Sequence, residues 1–418
     1  MATAAPAIPP VAAAPRTPAR GEVIDLRTID GEYVTGVSMA TDARGRTFIV
    51  GSVGSGQSDA YVLALDAEHR PLWRKRIGGA GADYGDDVAV DASGVYVSGA
   101  FESHSIDLGA GPLKNAGIHD LFLAKYDFDG KLLWAKRYGD ALDQISMRLR
   151  AHPDGGVVAT GWFNGTLDFG AGPVHGVSTK ASFVARIDAS GHGVWSRAFG
   201  HRYDYAETDA AVDARGHVLV SGGSEGTSEF VRGGGPSARD DLAPVLLELD
   251  AHGKIVSAKR FGGGADNVAT AIALAPDGSL RFAASSRGTV DFGDGPRRPS
   301  GYDEAVDVAS FDPSGAFAWR ARTFSDRLAS VSALAVNARG ESVVLGEILR
   351  HERDPAPYGH DAERGIAVAL SPSGSILWTY VLSGGAQSSL ERVTFDAQGR
   401  VVLGGTRDHA IVFVTLAP

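Results

Sequence analysis

The chain has 418 residues, 55 of them glycine, no cysteine and a formal charge of −10. That glycine share is nearly twice the usual one and argues against a helix-rich enzyme. The missing cysteines exclude disulfides, thiolate metal sites and a cysteine nucleophile. Scattered Lys and Arg on an acidic chain exclude nucleic acid as the main partner, and no apolar run is long enough for a transmembrane helix.

Residues 1–20 hold 8 Ala and 5 Pro without alternation or a helical stripe. Such a segment buries too little apolar surface to offset its ordering entropy, so it is expected to be a disordered tether. It has no charged n-region and apolar core, so it is not a signal peptide, although Ala/Pro tethers are common just after a removed one.

From there the chain repeats. A turn glycine after a short polar run, followed by a β-rich strand, recurs at Gly45, Gly94, Gly155, Gly216, Gly278, Gly340 and Gly399, at intervals of 49, 61, 61, 62, 62 and 59 residues. Six residues on (five in the second unit) stands a small residue: Gly51, Gly99, Gly161, Gly222, Ala284, Gly346 or Gly405. A second turn follows at His69, Gly130, Gly191, Gly253, Gly315 and Gly374, with Trp73, Trp134, Trp195, Ser257, Trp319 or Trp378 four residues later. Each unit reads as four short strands rich in β-branched and aromatic residues. Five of the six tryptophans share this repeat position, which assigns them to blade-core packing.

The seventh unit stops after three strands, ending at Ile411–Leu416, and the missing one stands at the other end. Gly21 with the run after it matches Gly130 with Lys131–Tyr138. A linear solenoid has no reason to split a unit between its termini, whereas a ring does. The chain is therefore expected to be all-β, a seven-bladed β-propeller over residues 21–418 with four-stranded antiparallel blades, the last closed by the N-terminal strand.

The runs Asp83 to Gly99, Asp204 to Gly222 and Asp143 to Gly172 share an order of motifs: a glycine loop, an Asp, a strand, an Asp-x-x-Gly turn (in the third run His152-Pro153-Asp154-Gly155) and a strand ending in Gly. This pattern resembles the bacterial β-propeller repeats called SBBP repeats, over essentially the whole folded chain. The resemblance implies a propeller and export to the periplasm, envelope or exterior, and it implies no catalytic residues. The Asp127–Trp134 run also resembles the tryptophan repeat of quinoprotein propellers, but is one residue short, and the vicinal disulfide is impossible without Cys. The Asp-to-Trp distance is too long for a sialidase Asp-box.

Strand alternation puts the first turns on one face and the middle and interblade loops on the other. First-to-second-turn distances of 24 in unit 1 and 36, 36, 37, 37 and 34 in units 2–6 give long middle loops in five units. In unit 7, Arg407, Asp408 and His409 nearly fill the loop. The loop face should then be an open-sided bowl, walled over five blades and low over two. The Asp-Phe-Gly-x-Gly-Pro loops at Asp107–Pro112 (with Leu108), Asp168–Pro173 and Asp291–Pro296 read as Asp-organised tight turns. Asp83, Asp143, Asp204 and Asp266 read as hydrogen-bonded bridges between blades rather than calcium ligands.

The candidate ligand-binding residues are those that break the repeat. Trp162, just past Gly161, could stack on a sugar. Between units 3 and 4 stand His201, Arg202, Tyr203 and Tyr205. Unit 6 carries Arg350, His351, Arg353, His360 and Asp361, and unit 7 adds Arg407 and His409. His351 and His360 are nine apart with no helix to align them, so they form no zinc motif. The glycines at Gly78–Gly81 and Gly233–Gly235 lack the following helix of a phosphate loop.

These residues point to a monomeric binding module for a protein or glycan, without metal or cofactor. One alternative is a lyase or glycoside hydrolase on acidic polysaccharide, with a His/Arg/Tyr or carboxylate site at the axial mouth. The other is a display scaffold.

Overall fold

A computed structural model describes residues 19–29, 34–54, 57–176, 181–199, 209–225, 242–262, 267–299, 304–326, 329–350, 362–382, 388–396 and 398–418. They form seven four-stranded antiparallel sheets, each running in chain order from an innermost to an outermost strand. The first blade comprises Val34–Thr41, Thr47–Val53, Asp59–Leu65 and Pro71–Ile77. A single parallel bridge, Arg364 to Ser388, links the sixth sheet to the seventh.

Closure follows the repeat arithmetic. Val23–Ile29 pairs antiparallel with Ala410–Leu416, matching Val23 to Leu416 and Ile29 to Ile411. The Gly21 amide donates to Ala417 O at 3.0 Å, and the Ala417 amide to Glu22 O at 2.9 Å. Both ends of the chain thereby sit in one blade, and the seventh sheet has no open edge on that side.

The first turns are tight because an Asp side chain substitutes for missing backbone partners. Asp42 Oδ1 accepts the amides of Arg44 and Arg46, both at 2.9 Å, and Gly45 takes φ +80°. Asp213 and Asp396 repeat the pattern in two other first turns, and Asp312 in a second turn.

The tryptophans lie at the junctions between blades. The indole of Trp73 donates to Phe128 O of the next blade at 2.9 Å, Trp134 to Ala189 O at 3.1 Å, Trp195 to Ala251 O at 2.9 Å and Trp319 to Pro372 O at 2.8 Å. Each ring covers the glycine of that blade's second turn: a Cβ on Gly130, Gly253 or Gly374 would collide with it, and one on Gly191 would stand 3.1 Å from it. Trp378 covers Gly21 in the same way, so the interlock also spans the closure. In the blade without a tryptophan, Lys259 Nζ donates to Gly315 O instead.

Much of the middle loops of the fourth and sixth blades lies outside the described residues. In the second, third and fifth blades the Asp-Phe-Gly segments fold inward between neighbouring sheets. Leu108, Phe169 and Phe292 are buried at 3%, 1% and 3% exposure. Each joins a core cluster drawn from two adjacent blades. Their Asp residues organise the turns as expected: Asp107 accepts Gly109 N at 2.7 Å and Asp291 accepts Gly293 N at 2.8 Å. Part of the loop length there fills the wedge between blades. The reason is hydrophobic: one large apolar side chain per loop gains more from burial than from standing in water.

Candidate functional site

The innermost strands position the site. Among the described residues, six innermost strands carry a β-bulge, with Gly36, Asp86, Ile145, Thr270, Ser332 and Glu391 skipped in the pairing. A bulge bends the strand and re-aims its side chains. It also turns a carbonyl toward the second strand, which explains the small residue after each first turn. A Cβ on Gly51, Gly99, Gly161, Gly346 or Gly405 would collide with the carbonyl oxygen of Gly36, Tyr84, Ser146, Ser330 or Ser389, respectively.

Gly36, Asp86, Ile145, Ser332 and Glu391 of these bulges line one cavity of about 830 Å³ on the axis. It takes its walls from six blades. The first supplies Thr35 and Ser52, the second Tyr84 and Asp86, and the third Ser146 and Arg148. The fifth supplies Ser285 and Glu304, the sixth Ser330, Ser332 and Glu347, and the seventh Glu391 and Arg392.

Beneath the mouth, carboxylates bind innermost strands of adjacent blades together. Asp87 of the second blade accepts the Leu149 amide of the third at 2.8 Å and the Ser38 hydroxyl of the first, with Arg150 at 3.4 Å. Asp209 of the fourth accepts the Ile272 amide of the fifth at 3.0 Å and pairs with Arg150. Glu391 of the seventh accepts the Val37 amide of the first.

Two neighbouring carboxyls titrate in opposite directions. Burial pushes Asp87 up, but Arg392, Arg150, the Ser38 hydroxyl and the Leu149 amide outweigh it and hold the group below the usual carboxylate range. Asp86 is pushed up to about 7, chiefly by burial with the like charge of Asp87 adding, against the Met147 amide and Arg148. The mouth therefore contains a carboxyl that exchanges its proton near neutrality.

Beside the cavity, His119 Nδ1 lies 2.7 Å from Asp143 Oδ1, joining the second blade to the connection that leads into the third. The His119 ring stands 6.2 Å from that of Tyr84, centroid to centroid. Asp143 thus bridges blades as expected. Asp83 instead pins its own connections, accepting Gly79 N at 2.8 Å and the Ser103 hydroxyl at 2.6 Å. Asp204 and Asp266 lie outside the described residues.

The sequence-derived candidates are placed unevenly. Trp162 is partly buried in the strand Val157–Phe163, paired with Ser146 and Ser182, and does not line the cavity. Arg407 ends the strand Val401–Arg407, and Asp408 and His409 make a two-residue turn at φ +49° and +68°. His409 O accepts the Val34 amide of the first blade at 2.8 Å. Arg350 ends the strand Ser342–Arg350 opposite Ala362. His201, Arg202, Tyr203, Tyr205, His351, Arg353, His360 and Asp361 lie outside the described residues.

Tyr84, Asp86, His119, Arg148, Glu391 and Arg392 went unrecognised in the sequence. A signal was present: seven residues before the glycine of the first turn, the seven units read Ser38, Asp87, Arg148, Asp209, Ala271, Ala333 and Arg392. The repeat is broken there inside a strand rather than in a loop. Among the described residues no group of three or more His, Cys, Asp or Glu could hold a metal, and no helix is long and apolar enough to cross a membrane.

No known family model matches this chain, and no curated protein sequence matches it. Solved structures share its fold along nearly its whole length. An ulvan lyase of polysaccharide lyase family 25 is 10% identical with a TM-score of 0.50, covering 94% of this chain and 96% of that one. Hydrazine synthase of Kuenenia stuttgartiensis is 12% identical with a TM-score of 0.49, covering 94% and 97%. The β-propeller domain of the Trilobed protease from Pyrococcus furiosus, described as having an open velcro topology, is 9% identical with a TM-score of 0.48, covering 92% and 95%. At these identities the likeness concerns the β-propeller fold alone.

Proposed function

We propose that this chain is an exported, SBBP-type propeller that binds a hydrophilic ligand, the end of a saccharide chain, in its axial mouth. The observation that carries this reading is the lining of the cavity. Six Ser and Thr hydroxyls, the Tyr84 phenol, four carboxyls and two guanidinium groups converge on about 830 Å³ with one aromatic ring among them. Such a surface suits a ligand rich in hydroxyls, which can donate and accept at many points. A docked protein would instead call for an apolar centre with a polar rim. The hairpin of Arg407 and His409 would extend the same face outward.

The test is a thermal-shift and calorimetric screen of neutral and acidic oligosaccharides on the full chain, repeated with Tyr84→Ala. A ligand whose affinity falls at least about tenfold in the variant supports the reading. A ligand bound equally well by both proteins places the site elsewhere.

A further inference from the structure

We propose that the chain carries a second binding site, for a free apolar α-amino acid, on the face opposite the axial mouth, in the groove between the fifth and sixth blades. It is independent of the saccharide reading.

Four turns enclose this groove, a cavity of about 370 Å³. The first turns of the two blades bring Pro276 and Gly340 to it, and the second turns bring Pro313 and Pro372. Its most buried charge is Arg281, at 3% exposure. Arg281 Nη1 donates to Ser279 Oγ at 2.8 Å and to Ser310 Oγ at 2.7 Å. Its Nε is buried with no hydrogen-bond partner, and among the described residues the guanidinium forms no ion pair. Lys125 and Arg186, cations buried at other junctions, are served by backbone carbonyls instead, Ala189 O at 3.1 Å and Gly155 O at 2.6 Å. The difference lies in the repeat: Arg281 stands opposite Ser310, where the second blade has Tyr96 opposite Lys125. Burial accordingly holds Arg281 below the usual guanidinium range, and Asp277 offsets it only in part. A buried cation with two hydroxyls for partners is half of a site, which an anionic group completes.

The surroundings select the anion. Asp277 and Asp312 stand exposed at the rim, where they disfavour a dianion such as sulfate and attract a cationic group beside the anionic one. Arg339 at the rim is already paired with Glu341 at 3.0 Å, and Lys259, near Asp312, donates to Gly315 O. The walls between these charges are apolar. They are Pro276, Pro313, Pro372 and the Trp319 ring, whose centroid lies 5.1 Å from Arg281 Cζ and whose indole is fixed on Pro372 O. An apolar α-amino acid meets all three features. Its carboxylate pairs with Arg281, its ammonium faces Asp277 and Asp312, and its side chain packs on the prolines and Trp319.

The experiment is calorimetric titration of the full chain with leucine, methionine, phenylalanine and tryptophan, each also as its amide and its N-acetyl derivative, and with sulfate and phosphate. At least one free amino acid is expected to bind, and its amide and N-acetyl forms should each bind at least about tenfold more weakly. Arg281→Met should lower the affinity for that amino acid at least about tenfold and change little for its amide, which has no carboxylate to lose. Asp277→Asn should weaken the free amino acid and leave the N-acetyl form unaffected. Melting curves identify a variant that misfolds, and the amide and N-acetyl comparisons on the parent chain then decide. The proposal is overturned if none of the four amino acids binds, or if the amide and N-acetyl forms bind as tightly as the free one. Equal affinity in a folded Arg281→Met, or tighter binding of sulfate or phosphate than of any amino acid, would also overturn it.

Discussion

At the scale of single residues, Asp86 and Asp87 are neighbours with opposite consequences for stability. Asp86 has its folded pKa raised to about 7, so between about pH 4 and 7 the folded chain keeps a proton that the unfolded chain releases. Its contribution is complete below about pH 4 and is lost as pH rises through 7. Asp86→Asn should therefore melt like the parent at pH 4 and be more stable at pH 8, by about 1–3 kcal/mol after allowing for solvent access. Paired melts at the two pH values check this, and an unchanged difference would contradict it. The turn carboxylates act the other way. The Ser279 and Ser314 hydroxyls hold Asp277 and Asp312 low, so what they contribute is present above about pH 4 and lost on further acidification. For Asp87, with Leu149, Ser38 and Arg150 all bound to it, Asp87→Ala leaves Arg150 with Asp209 as its one carboxylate partner and deprives two buried donors of their acceptor. The loss should be about 3–5 kcal/mol by denaturant titration.

At the scale of elements, the repeat carries its own fastener. Trp73, Trp134, Trp195 and Trp319 each supply an indole N–H to the turn of the next blade and, like Trp378, cover a glycine there, so one residue type at one repeat position ties neighbouring sheets. Trp134→Ala should cost about 2–4 kcal/mol, and Gly191→Ala, across the same junction at φ +83°, should cost less but in the same direction. Combined, the two should be less than additive, because they break one contact. A double-mutant cycle measures this, and full additivity would contradict the interlock.

Strand order, turn positions and the glycine after each first turn were legible in the sequence because backbone geometry demands those residues at every repeat. The inward fold of the middle loops was not, since Leu108, Phe169 and Phe292 read equally well as loop or filler until neighbouring blades supply the cavity they occupy. The site was hidden for a related reason. Attention to long, charged loops favoured positions such as Trp162 and His409. The bulged strands instead carry Asp86, Arg148 and Arg392 to the axis at positions that read as ordinary strand. The bulge that brings five blades' residues into one cavity is a backbone event, marked in sequence only by the glycine opposite it.

At the scale of the molecule, closure makes a ring out of seven weakly distinguishable units, and the ring creates the mouth. Asp25 and Thr415 are register partners across the closing pair in a chain without cysteine. The double variant Asp25→Cys/Thr415→Cys should form its disulfide on oxidation and melt higher, by at most about 5 kcal/mol, with the gain lost on reduction. Failure to cross-link would contradict the closing register.

The central claim is that ligands bind where the bulged innermost strands converge. It is tested most directly by titrating the first saccharide found to bind against two variants of equal charge change: Ser330→Arg, which fills the exposed rim of the axial cavity, and Ala92→Arg, on a first turn at the opposite face. The account predicts that Ser330→Arg abolishes binding while Ala92→Arg leaves the affinity unchanged. Undiminished binding by Ser330→Arg would contradict it.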